Sequence, residues 1–186
     1  MFKGKVFVLS LHRSGTRSTH HLLTDRGYSG LHWAGPHVEE ASFADATPAE
    51  CAERLQPLVE AHDVLSDVPF NVLFREYDAL YPGSSFVMLV RPVTEWIASV
   101  REHTKDRPLD PFELMQYRPY VDAERATLAE YDDAALAQIW RRHGEAVRAH
   151  FAGRDCLLEA ALDDAAGPAI ARFLDLDPQA RLPRLS

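Results

Sequence analysis

Residues 5–23, from Lys5 to Leu23, read KVFVLSLHRSGTRSTHHLL. The run Val6-Phe7-Val8-Leu9 is short, apolar and β-branched, the pattern of a buried strand. Ser10-Leu11-His12-Arg13-Ser14-Gly15-Thr16 breaks it. A helix is expected next, reaching about Arg26 and stopped by Gly27. Strand, polar glycine-bearing loop and helix in that order build an anion site, because the loop amides and the positive helix end converge. Arg13 and Arg17 add fixed positive charge, and Ser14, Thr16 and Ser18 add hydroxyl donors. A nucleotide-triphosphate loop would read G-x-x-x-x-G-K-[ST]. Here Ser10 holds the first glycine position and Thr16 follows Gly15 directly, so the phosphate-reaching lysine is missing. A sulfated or phosphorylated nucleotide held without metal suits the loop better than a magnesium triphosphate.

Working outward, strand and helix patterns alternate. A second strand ends near His32-Trp33, and His37 to Phe43 forms a short helix or lid. Thr47-Pro48-Ala49-Glu50 is a capping box opening a helix to about His62, with Pro57 expected to kink or split it. Val64-Leu65-Ser66-Asp67 is a strand with a carboxylate at its carboxyl end, where open α/β sheets bind ligands. Pro69 is expected to begin a helix over roughly Phe70 to Leu80. Ser85 to Val90 is apolar without alternation, as in a parallel strand covered on both faces. A helix follows from Val93 or Thr94 to His103, with Trp96, Ile97 and Val100 inward. Three prolines punctuate residues 105–131, read as a cover or substrate segment of short helices rather than core. Asp132 or Asp133 caps a long helix to Phe151, whose apolar stripe of Leu136, Trp140, His143, Val147 and Phe151 makes His143 a core or semi-buried residue. Cys156 to Glu159 is the last strand and Gly167 to Leu174 the last helix. The alternation predicts one α/β domain over residues 1–186: three layers, α/β/α, around a parallel sheet of about five strands, P-loop NTPase-like.

The 186 residues, 46% hydrophobic, suit one core. No apolar run is long enough to span a bilayer, and the first residues lack a signal-peptide pattern, so a cytoplasmic protein is expected. Cys51 and Cys156 have no metal-type spacing and read as free thiols, and no metal site is expected. A net charge of −8 argues against a general nucleic-acid or membrane surface. An anionic cofactor must then be held by local charge, which the Arg13/Arg17 loop supplies.

A second segment completes the site. Phe86-Val87-Met88-Leu89-Val90-Arg91-Pro92 ends a strand on a planar guanidinium that can grip a phosphate bidentately. Ser99 lies nearly two helical turns on and can donate to the same phosphate. The bland alternative is that Arg91 caps carbonyls or pairs with Glu95. Leu11-His12-Arg13-Ser14-Gly15-Thr16 resembles the 5′-phosphosulfate loop of the sulfotransferases, roughly P-[KR]-[ST]-G-T-[TS], with His12 departing at the proline. Gly15-Thr16-Arg17 is similar to the G-T-R of the heparan-type branch. The segment from Phe86 to Ser99 resembles the family's 3′-phosphate motif.

The resemblance implies in-line transfer of a sulfuryl group from 3′-phosphoadenosine 5′-phosphosulfate (PAPS) to a hydroxyl or amine, leaving adenosine 3′,5′-bisphosphate (PAP). It implies that Arg13 stabilises the leaving phosphate, that Ser14, Gly15, Thr16, Arg17 and Ser18 hold the 5′-phosphate, and that Arg91 and Ser99 hold the 3′-phosphate. For the base, alignment through Gly15-Thr16-Arg17 puts His21 at the position of the heparan-type glutamate, slightly ahead of His32, with Asp67 third. His20, about 100° round the helix, cannot face the site equally. The family's C-terminal glycine- and lysine-rich clamp is missing; Arg181, Arg184 or a neighbouring subunit are the candidates to replace it, which leaves a homo-oligomer open. Trp33, Phe70, Phe74, Trp96, Phe112, Tyr117 and Tyr120 suggest an aromatic-lined pocket for a small or lipidic hydroxyl acceptor. Two other readings compete: a P-loop small-molecule kinase, and a non-catalytic nucleotide-binding partner subunit.

Overall fold

The computed structural model describes residues 4–105, 107–177, 179 and 181–183. Five strands, β1 (Val6–Val8), β2 (Gly30–His32), β3 (Val64–Ser66), β4 (Ser85–Val90) and β5 (Leu157–Ala161), form one sheet in the order β2-β3-β1-β4-β5. Every pairing is parallel. Among the described residues seven α-helices connect and flank them: α1 (Thr16–Thr24), α2 (Pro48–Glu60), α3 (Phe74–Leu80), α4 (Val93–Thr104), α5 (Pro111–Tyr117), α6 (Asp133–His150) and α7 (Ala166–Phe173). This is the expected three-layer α/β/α architecture of P-loop kind. Among the described residues no helix is long and apolar enough to cross a membrane.

The period-two alternation of strand side chains sorts the core into two faces. Phe7, Leu65, Phe86 and Met88 meet Leu55 and Val59 of α2, Phe74 and Tyr77 of α3, and Val147 of α6. Val6, Val64, Val87 and Leu89 meet Leu22 and Leu23 of α1 and Ile170 and Ala171 of α7. Burial on both faces explains why β4 reads as an unbroken apolar run. Because β1 lies between β3 and β4, the residues that follow those two strands, Asp67 and Arg91, arrive on either side of the loop that follows β1.

Four expectations change. Helix α2 carries the expected Thr47/Glu50 capping box, but it continues through Pro57 to Glu60 without splitting. Glu53 and Pro57 are both exposed, so the hydrogen bond that proline removes lies on the solvent side of the helix. Helix α3 begins at Phe74, not near Phe70. The residues before it are committed to tertiary bonds: the buried Asn71 amide donates to the Ser10 carbonyl at 3.2 Å and to Gln116 Oε1 at 2.6 Å. The stretch expected to cover the site rather than join the core does both. Phe112 sits in the main core against Phe43, and Tyr117, Tyr120 and Leu128 build a third cluster with Trp96, Val100 and Ile139. Finally, Trp140 is only half-buried, and Ile139 takes the deep position on α6.

Candidate active site

The loop after β1 is fixed before it turns. Leu9 N–H donates to the Val87 carbonyl at 2.7 Å, and the Ser10 hydroxyl accepts from Leu89 N–H at 2.8 Å. The chain then takes left-handed conformations at Arg13 (φ 62°) and Gly15 (φ 81°). Gly15 is the N-cap of α1, with no side-chain cap and no acidic residue in the first turn. The first-turn amides of Thr16, Arg17 and Ser18 therefore have no carbonyl partner within the helix and no side-chain cap.

The two charged segments converge here. Arg13 Nε donates to the Ser99 hydroxyl at 3.2 Å, and an Arg91 guanidinium N–H donates to the Arg13 carbonyl at 3.2 Å. Arg91 also pairs with Glu95, four residues on, at 3.5 Å. Both contacts of the bland reading are thus present, alongside the convergence with Arg13 and Ser99. Arg13, Gly15, Thr16, Arg17, Ser18 and Arg91 all line one cleft of about 990 Å³. Ser14 is buried and faces a smaller cavity beside Trp140 and His143 instead.

The candidate bases separate. His32 and Asp67 both line the cleft, with His32 Nε2 3.3 Å from Asp67 Oδ2. Asp67 Oδ2 also accepts from the Thr16 hydroxyl at 3.2 Å, and Oδ1 from Val68 N–H at 2.9 Å. The Ser66 hydroxyl holds His32 Nδ1 at 2.9 Å. Burial, then the nearby Arg17 charge, pulls the His32 pKa down to about 4. Burial raises that of Asp67, opposed first by His12. His21 is not among the residues lining the cleft; its ring lies edge-on to His20 at 5.4 Å. His20 stands between, 5.5 Å from the His32 ring, with Nδ1 buried and unpartnered.

Residues 5–186 match the sulfotransferase domain family. The chain belongs to that family. A comparison with curated proteins gives no match.

The sulfotransferase cleft has a second wall that the sequence did not announce. His103, Arg107, Asp110 and Glu113 line it from the end of α4 and the start of α5. Glu113, 4% exposed, receives a two-pronged grip from Arg107 at 2.7 and 2.6 Å and closes a capping box with Asp110. Burial and the Glu113 charge push the Asp110 carboxyl up. The unread signal is Asp110-Pro111-Phe112-Glu113, a cap, a first-turn proline and a box acid. Of the aromatics read as a pocket lining, Trp33 alone lines the cleft. Phe70, Phe74, Trp96, Phe112, Tyr117 and Tyr120 are spent on the core. The second wall is polar and charged instead. At the tail, Leu182 and Pro183 line the cleft, Arg181 is exposed and does not, and Arg184 lies outside the described residues.

Proposed function

We propose that the cleft transfers a sulfuryl group from PAPS to the hydroxyl or amine of a polar small molecule. One observation carries the reading: the uncapped positive end of α1, the Arg13 guanidinium, Arg91 and Ser99 meet at the ends of the adjacent strands β1 and β4. That arrangement offers two separate anion-binding positions and fits a nucleotide carrying a 5′-phosphosulfate and a 3′-phosphate. Arg91 and Ser99 would hold the 3′-phosphate. The first-turn amides of α1, with Thr16 and Arg17, would hold the 5′-phosphate.

When bound, PAPS supplies the sulfuryl group: the acceptor oxygen or nitrogen bonds to sulfur as the bond from sulfur to the phosphate oxygen breaks. Arg13 neutralises the charge that gathers on the leaving phosphate, and most of the protein's contribution is this kind of positioning and charge stabilisation. The acceptor's proton goes to the His32–Asp67 pair. Its two facing atoms lie 3.3 Å apart beside Thr16, so a proton taken there can be shared between imidazole and carboxylate. His21, outside the cleft lining, is not assigned this role.

The polar second wall directs the acceptor reading toward polyols and amino alcohols rather than lipids. The test is transfer of labelled sulfate from PAPS across a panel of polyols, amino alcohols, phenols and sterols, with wild type and Arg13→Ala. Labelled product from the polar set, lost in the variant, supports the reading. Turnover confined to sterols or phenols overturns the acceptor class, and turnover unaffected by Arg13→Ala overturns the site.

A further inference from the structure

His12 stands where the family loop carries proline, and no role falls to it from that resemblance. Its surroundings are unusually committed. The residue is 5% exposed although it lines the cleft. Its N–H donates to Gln116 Oε1 at 3.3 Å, and its carbonyl accepts from the Trp96 indole N–H at 3.0 Å. Its ring Nε2 is hydrogen-bonded to the Tyr117 hydroxyl, and the ring meets His103 edge-on at 6.4 Å. Gln116 and Tyr117 belong to α5, more than a hundred residues away in the chain, and α5 is itself pinned by the Asp110/Glu113 box and the Arg107 grip.

The next residue is Arg13, a non-glycine in the left-handed region at φ 62°. Such a conformation persists where neighbouring structure over-determines it. The clamp on His12 lies immediately before it, and the Arg91 bond to the Arg13 carbonyl lies immediately after. Together they aim the guanidinium at Ser99. Proline at this place would have neither the N–H nor the ring that make the clamp.

We propose that His12 is a positioning residue that passes the rigidity of the cover helix α5 to Arg13, so that the acceptor wall and the phosphate loop are set as one unit. The proposal rests on the sulfotransferase reading for what Arg13 does, but its structural content can be tested without any ligand. Burial supports it by pulling the His12 pKa down, which keeps the ring uncharged and free to accept from Tyr117.

The experiment follows the Arg13 Nε–H resonance in isotope-labelled protein for wild type, His12→Leu, His12→Gln and Tyr117→Phe, and titrates each with PAP. In His12→Leu the Arg13 signal shifts or broadens and PAP binds about tenfold more weakly. Gln, which can place an amide group near the Nε2 position, restores both. In the Arg13→Ala background the His12 substitution makes no further difference to PAP affinity, as expected of a residue acting through Arg13. A folded His12→Leu protein with an unchanged Arg13 Nε–H overturns the proposal. If that variant does not fold, Tyr117→Phe, which keeps the ring in place, decides by the same signal. Failure of wild type to bind PAP sinks the donor reading alone, because the resonance still reports on His12.

Discussion

His32 and Asp67 leave neighbouring strand ends and meet with Nε2 3.3 Å from Oδ2. The register makes this meeting. His32 lies opposite Ser66 in the β2–β3 pairing, so the Ser66 hydroxyl takes Nδ1 and the following residue, Asp67, reaches Nε2. Asp67 turns into the cleft from a left-handed backbone at φ 70°, and its side chain secures the turn by accepting from Val68 N–H. With the imidazole pulled down to about 4, the contact is a hydrogen bond rather than an ion pair near neutral pH.

The pair should act as a unit. Asp67→Asn and His32→Gln are each expected to slow transfer by about a hundredfold or more, the scale of general-base catalysis, while PAP affinity changes little. The double variant should be hardly slower than the worse single one. Rate losses that multiply, or a His21→Gln variant slower than both, would remove the pair from this role.

Gly15 combines two demands. Its φ is +81°, and an added Cβ would lie 2.7 Å from Leu162 Cδ1 and 3.1 Å from Leu89 Cδ1. Gly15→Ala should cost about 1–2 kcal/mol from the left-handed backbone alone, and the push against Leu162 shifts the loop as well. Gly27 is the control, with φ +86° and nothing within 4 Å of its Cβ position. Gly27→Ala should lower the melting midpoint by a comparable or smaller amount and leave PAP binding intact. Equal PAP binding by both variants would show that the loop tolerates the displacement.

Acid should destabilise the fold through its buried histidines. His143 is 2% exposed, its Nε2 meets the Leu9 carbonyl at 2.7 Å, and burial pulls its pKa from 6.5 to about 4. A folded-state pKa below the unfolded value means that the unfolded chain binds more protons between those limits. The stabilisation is therefore complete above 6.5 and is lost as pH falls toward about 4. Each unit of pH in that window removes up to about 1.4 kcal/mol per such histidine. His20 and His32, also pulled to about 4, act in the same sense. Urea unfolding across the window should show His143→Gln losing stability less steeply than wild type. An unchanged slope would mean that His143 titrates normally in the folded protein.

The parts of the fold and the site built from local chemistry were legible in the residues. The apolar run before Arg91, the Thr47/Glu50 box and the glycine-bearing loop each carry their signal within a few neighbours, and the structure brings Arg13, Arg91 and Ser99 together. The parts set by distant partners were not. His12 looked like a departure from a motif because Gln116 and Tyr117 lie across the chain. Phe112 and Tyr117 looked like a cover because the prolines around them mark loops, whereas their burial is decided by Phe43 and by the α4–α6 layer. Helix α3 starts late because Asn71 is drawn to Ser10 and Gln116, bonds that no local propensity encodes. Alignment through Gly15-Thr16-Arg17 put His21 slightly ahead of His32, because the β2–β3 register that brings His32 to Asp67 leaves no mark in local spacing.

The most direct measurement is a thermal shift of the full chain with PAP, AMP and ATP–Mg²⁺, on wild type and Arg91→Ala. The site predicts selective stabilisation by PAP, reduced about tenfold or more in apparent affinity by Arg91→Ala, since a charge-assisted phosphate contact is lost. Stabilisation by ATP–Mg²⁺ in preference to PAP, or a PAP effect untouched by the substitution, would contradict it.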